Sequence, residues 1–295
     1  MPNSSRRTML KTLAAGSIAA GLAPLQSFAN EKQIMAKLKG NIHHSVCQWT
    51  FGKVPLEELC KVAKKIGLEA IDLLAPKDWP TIQKYGLYSS MCYIPGKISL
   101  TDGFAGTDFH TSLIKDYEEG IPLVAKAGYK NLICFSGNRR GMDDETGLNN
   151  CVAGLQKLLP LAEKNNVVLV MELLNSKRDH KDYMCDHTAW GVELCKRLGS
   201  ENFKLLYDIY HMQVDEGNVI QNIRDNHQYI AHYHTAGVPG RHELDDKQEL
   251  YYPAIMKAIY DTGFKGYVSQ EFIPTGKTDA ENFKALEHAV HVCDV

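Results

Sequence analysis

From Asn41 onward, short β-branched or apolar runs alternate with amphipathic stretches eight times, and that rhythm restricts the chain to very few folds. Strands are predicted at 43–48, 70–74, 87–92, 131–135, 167–171, 204–207, 229–234 and 266–270. Helices are predicted between and after them, at 56–66, 79–85, 111–127, 147–164, 188–198, 218–227, 251–262 and 280–290. Gly67, Gly86, Gly128 and Gly263 stand where a helix must stop and hand over to the next strand, a position that favours a residue tolerant of positive φ. Eight strand-helix units fit a single closed (β/α)8 barrel, for which about 250 residues is typical. A doubly wound open sheet of this length would carry fewer units, and no G-x-G-x-x-G follows the first strand. The interior contains no Pro/Gly/Ser-rich linker or charge block that would divide it into two domains.

The first 29 residues are of a different kind. Arg6, Arg7 and Lys11 are unaccompanied by any acid, a small-residue apolar run extends from Leu13 to Leu25, and Ser27-Phe28-Ala29 reads as an A-x-A-like cleavage site. The segment resembles a twin-arginine export signal, which implies a leader over 1–29, a barrel over 30–295 and a periplasmic destination. Without the leader the formal charge falls from −2 to −5, so nothing provides the basic surface needed to grip nucleic acid. No other segment is apolar and long enough to hold the chain in a membrane. Eight cysteines form no C-x-x-C pair, and Cys47, Cys92 and Cys134 fall inside predicted strands, so buried free thiols are expected. Export of an already folded protein also explains how a metal could be loaded first.

Four polar residues stand at the C-terminal ends of successive predicted strands: Glu172, Asp208, His234 and Glu271, with spacings of 36, 26 and 37 residues. Each spacing is about one strand-helix unit, which puts all four on the barrel rim where active sites of this architecture lie. Singly, each acid reads more readily as a helix N-cap or a surface ion pair, and His234 as a satisfied core histidine. Together, three carboxylates and an imidazole in a buried mouth repel and desolvate one another unless a cation joins them. Oxygen-dominated donors with one nitrogen suit Mg2+ or Mn2+, with Co2+ also compatible. His211, three residues after Asp208, and Arg241, on the loop after the seventh strand, are candidates for substrate contact. Trp49 and Tyr93, just after the first and third strands, read as pocket walls or as packing.

The segments Met171-Glu172-Leu173-Leu174-Asn175, Tyr207-Asp208-Ile209-Tyr210-His211-Met212-Gln213, Val238-Pro239-Gly240-Arg241-His242-Glu243 and Gln270-Glu271-Phe272-Ile273-Pro274 look like motifs of the hydroxypyruvate isomerase branch of the xylose isomerase-like TIM barrels. The resemblance implies that Glu172, Asp208, His234 and Glu271 bind a divalent metal and that Glu172 and Glu271 also move protons. It further implies an intramolecular oxidoreductase that interconverts hydroxypyruvate and tartronate semialdehyde through an enediolate. Hydroxypyruvate isomerases resembling this chain would carry glutamine where His234 stands, and the related ketose 3-epimerases a histidine, so a 3-epimerase or a sugar dehydratase of the same barrel is the alternative. An endonuclease IV-like nuclease would want an Asp-x-His pair where Gly240-Arg241-His242 stands, and a non-catalytic sugar-binding barrel would have no need of all four strand-end residues. The partners expected are a small sugar or keto-acid substrate and, as an open choice, further copies of the chain.

Overall fold

In a computed structural model, residues 37–94 and 99–295 are described; the expected leader and its cleavage site lie outside them. Eight strands alternate with helices: β1 His43–Cys47, α1 Leu56–Ile66, β2 Ala70–Asp72, α2 Trp79–Lys84, β3 Tyr88–Ser89, α3 His110–Lys126, β4 Asn131–Cys134, α4 Asp144–Leu155, α5 Leu159–Asn165, β5 Val168–Glu172, α6 Thr188–Leu198, β6 Phe203–Asp208, α7 Ile209–Asp215, α8 Val219–Asn226, β7 Ile230–Thr235, α9 Tyr252–Asp261, β8 Tyr267–Gln270 and α10 Asp279–Val292. All ladders are parallel, in the order β3-β2-β1-β8-β7-β6-β5-β4. The two end strands meet through Cys92, which bridges Leu74 on one side and Leu132 on the other. Its amide donates to Asn131 O at 2.8 Å and its carbonyl accepts from Ile133 N at 3.1 Å.

Local chemistry accounts for the elements. In α1, Leu59, Cys60, Ala63 and Ile66 form one buried stripe, while Glu57 and Glu58 sit at the positive end of the helix and Lys64 and Lys65 at the negative end. Burying each such aliphatic side chain contributes about 1.5–3 kcal/mol. Gly67, Gly86, Gly128 and Gly263 all have positive φ, as the turn reading requires. The eight cysteines are free and buried.

The elements depart from the predicted ones at four places. The helix predicted over 147–164 is two helices, because Pro160 cannot donate to the carbonyl of Gln156 and opens α5 in its first turn. The second strand stops at Asp72 because Leu73 turns left-handed, with φ 57°. The third strand shrinks to two residues, its remainder contributing only the Cys92 bridge. A short helix, α7, follows β6 at once, ahead of the helix predicted over 218–227.

The loop after β4 is locked by backbone against the segment before α3: Phe104 N donates to Phe135 O at 3.1 Å and Ala105 N to Ser136 O at 2.7 Å. Gly137, at φ 80°, comes so close that an added Cβ would meet Gly103 N at 2.3 Å. Gly137→Ala is therefore expected to destabilise the fold by about 3 kcal/mol, as left-handed strain and overpacking combine. A urea unfolding midpoint indistinguishable from wild type would contradict this.

Candidate active site

Glu172 closes β5 and Asp208 closes β6, His234 is the penultimate residue of β7, and Glu271 directly follows β8. Lateral register aligns Asp208 with His234 and His234 with Ser269, so one rim of the barrel carries all four. One donor atom from each of the four lies within 4.8 Å of every other, and all four residues are buried. Above them opens a cavity of about 440 Å³ lined by Trp49, Leu73, Tyr93, Glu172, His180 and Arg241, among others. A second opening, of about 480 Å³, is lined by Lys130, Lys204, Lys265 and Tyr267 and contains none of the four convergent residues.

Each side chain is held by identifiable contacts. Asp208 is both an N-cap and a site residue: Oδ1 accepts from Tyr210 N at 2.8 Å and His211 N at 3.2 Å, capping α7, while Oδ2 faces Arg241 Nη2 at 3.4 Å. Glu271 Oε1 accepts from the Trp49 indole N–H at 2.7 Å, and Oε2 is 2.5 Å from Arg241 Nη2 and 2.7 Å from His234 Nδ1. Glu172 Oε1 stands 3.5 Å from the same His234 nitrogen. Arg241, at φ 59° on the loop after β7, lies over the rings of Trp49 and Tyr210 at 5.3 and 5.5 Å, and its Nε is buried without a partner.

Electrostatics separate the carboxylates. Burial pushes the Asp208 carboxyl up to about 8, with Arg241 opposing the rise and Glu271 adding to it. Burial likewise raises Glu172, against the pull of His234. Burial acts on Glu271 in the same sense, but the facing His234 and Arg241 outweigh it and hold that group well below the usual carboxylate range. For His234, burial disfavours the charged ring, yet the neighbouring Cys47 and Glu271 and the hydrogen bond it donates to Asp72 prevail and raise it.

His211 is a neutral donor aimed at the site. Asn175 Oδ1 accepts from the Arg178 and Asp179 amides at 3.1 and 2.9 Å, which turns its Nδ2 toward His211 Nδ1 at 2.6 Å. The Asn175 backbone amide donates to the same ring nitrogen at 3.2 Å, so Nδ1 accepts and the proton sits on Nε2. That Nε2 has no hydrogen-bond partner and lies 3.6 Å from Asp208 Oδ2. Burial, with Arg241 and His180 adding to it, keeps the ring uncharged.

All six sequence candidates converge here. Three basic side chains of the neighbouring loops do not: Lys177 Nζ is tied to the carbonyls of Val214 and Asp215, Arg139 to Asp144 and Asp186, and Arg140 to Asp102. Sequence reading missed Asp72, which lies beneath His234, and His180, which lines the mouth. A lone acid inside an otherwise apolar predicted strand was the available signal for Asp72; His180 offered none. Trp49 proves to be a polar contact of Glu271 as well as a wall.

The donor set fits a divalent cation: three carboxylates and one imidazole converge, and His234 presents Nδ1 to the carboxylates while Nε2 is engaged by Asp72. A family model described as xylose isomerase-like TIM barrel matches residues 60–289. A human protein assigned as a hydroxypyruvate isomerase is 31% identical over 273 residues, covering 87% of this chain and 92% of the relative. A 2-oxo-tetronate isomerase of Pectobacterium atrosepticum is 23% identical over 243 residues, covering 78% and 90%. Among solved structures, a D-psicose 3-epimerase with D-tagatose from Clostridium cellulolyticum H10 superposes with a TM-score of 0.70 at 16% identity, covering 86% of this chain and 100% of the other.

Proposed function

Because the chain belongs to the xylose isomerase-like TIM barrel family, we propose that it is a metal-dependent isomerase of small hydroxy-carbonyl compounds, most like the hydroxypyruvate isomerases. The observation that supports this best is the convergence of Glu172, Asp208, His234 and Glu271 beside a neutral, unpartnered His211 N–H. These four would hold Mg2+ or Mn2+, and the bound ion would supply positive charge at the substrate carbonyl, where negative charge develops when a proton leaves the neighbouring carbon. Glu172 and Glu271, from β5 and the end of β8, flank the cavity from two sides and are the groups that take and return that proton. His211 Nε2–H donates to a substrate oxygen, and Asn175 keeps that nitrogen the protonated one. Arg241 uses one terminal nitrogen on Glu271 and Asp208 and keeps its Nε free for a substrate carboxylate.

A second reading, ketose 3-epimerase, is favoured by His234 and by the apolar walls contributed by Leu73, Leu100, Ile133, Phe135 and Leu174, which suit the carbon face of a longer sugar. Hydroxypyruvate, tartronate semialdehyde, 2-oxo-tetronate and a panel of ketohexoses assayed with Mn2+ and Mg2+ separate the two. Interconversion of the keto acids is expected; turnover of the hexoses alone would overturn the first reading and establish the second. Arg6-Arg7 and the apolar run after them support export of the folded, metal-loaded enzyme by the twin-arginine route to the periplasm.

Arg241→Ala should raise KM for a keto acid by about 10²-fold, the loss expected for a charge-assisted pair. The same change should alter KM for a neutral ketose far less, and steady-state kinetics on both substrate types checks the difference. Equal effects on the two would remove the carboxylate-clamp role.

A further inference from the structure

Beneath the four rim residues lies a fully buried carboxylate that the reaction itself does not use. Asp72, at the end of β2, receives Ser90 Oγ–H on Oδ1 at 2.8 Å. Its Oδ2 lies 2.9 Å from His232 Nε2 and 2.7 Å from His234 Nε2, and the Cys47 thiol points at the same oxygen from 3.6 Å. His232 and His234 are two apart on β7 and so share its inward face, which brings both rings to one oxygen. An ionised carboxylate only accepts hydrogen bonds, so each ring must present Nε2–H to it. Without metal, His234 Nδ1 donates to Glu271; with Nε2–H held by Asp72, Nδ1, the nitrogen facing Glu172 and Glu271, is the one that would turn its lone pair to a bound ion.

Resting on the metal-binding reading above, we propose that Asp72 is a positioning residue for the metal: through a hydrogen bond to Nε2 it fixes His234 as an Nδ1 ligand and, by its negative charge, strengthens that nitrogen as a donor. His232 completes the arrangement. Its ring holds the carboxylate oxygen from the adjacent side while its own Nδ1 has no partner, so it serves Asp72 and not the site above. A buried acid without such partners would be too costly to keep ionised, and the two imidazoles together with Ser90 meet that cost. The arrangement also explains why an acid occupies a strand position that is otherwise purely apolar.

The test separates charge from shape. In Asp72→Asn the amide oxygen can still accept from both rings, and Ser90 can rotate to accept from the amide nitrogen, so the fold should survive while the charge is lost. Full-length protein stripped of metal is titrated with Mn2+ alone, following the free ion by electron paramagnetic resonance. The dissociation constant should rise about 10–100-fold in Asp72→Asn. An unchanged constant in a folded Asp72→Asn would overturn the proposal, whereas failure of the wild type to bind Mn2+ would overturn the metal reading beneath it. Wild-type protein loaded with Mg2+ and labelled with 15N-histidine gives an answer without any variant. His234 should carry its proton on Nε2; a proton on Nδ1 would overturn the proposal even if Asp72→Asn fails to fold.

Discussion

Glu271→Gln is expected to lower kcat by about 10³-fold or more, with KM changing far less, because the substitution removes a group required when the proton moves. Glutamine keeps the shape of the side chain and can still accept the Trp49 indole N–H through its carbonyl oxygen. What it cannot do is accept both Arg241 and His234 on the other terminal atom, which would now be an NH2 group facing two donors. The variant therefore loses both a negative charge and the position of its neighbours. Steady-state kinetics at saturating metal, with circular dichroism to verify folding, measures the effect. Full activity in this variant would exclude Glu271 from proton transfer, and a matching loss of binding without loss of kcat would reduce it to a ligand. Glu172→Gln provides the internal comparison. Its environment differs, since burial raises Glu172 while His234 and Arg241 hold Glu271 low, so the two substitutions should shift the acid and alkaline limbs of the pH profile differently.

How much of this was legible in the sequence depends on the kind of signal each feature leaves. Strand-end acids spaced by one strand-helix unit are visible because barrel geometry converts chain distance into angular position, and Glu172, Asp208, His234 and Glu271 needed nothing more. The helix stops were visible because Gly67, Gly86, Gly128 and Gly263 mark backbone conformations that other residues avoid. Asp72 was not visible, since its meaning comes from His232 and His234, respectively 160 and 162 residues away in the chain and joined to it only when the sheet curls. The same holds for Asn175 and His211: each is ordinary alone, and only the hydrogen bonds across 36 residues decide which ring nitrogen bears the proton. The split of the predicted 147–164 helix was legible in principle from Pro160, but the apolar periodicity continued across the break and concealed it.

Chelation should abolish turnover, and Mn2+ or Mg2+ should restore it; the accompanying stability change has a definite pH dependence. In metal-free protein, burial pushes the Asp208 carboxyl up to about 8, far above the usual carboxylate range, and Glu172 and His234 are also raised. A group whose pKa is raised on folding stabilises the folded chain below its unfolded value, and that contribution disappears as pH climbs through the folded value. For Asp208 the window runs from about pH 4 to pH 8. Buried neutral His211 has the opposite sign, its pKa being depressed, but it is neutral with or without a bound ion and cancels from a comparison of the two states. A divalent ion competes with the protons on Asp208, Glu172 and His234, so its net affinity must grow as they leave. At about 100 times the dissociation constant, binding to the folded state alone stabilises by about 2.7 kcal/mol. The melting temperature of stripped protein should therefore rise on adding Mn2+, and the rise should be larger at pH 8 than at pH 5 for the same metal concentration. Differential scanning fluorimetry across that range measures it directly. A shift independent of pH would mean that the ion does not displace protons from these residues, and no shift at either pH would mean that the four rim residues do not form its site.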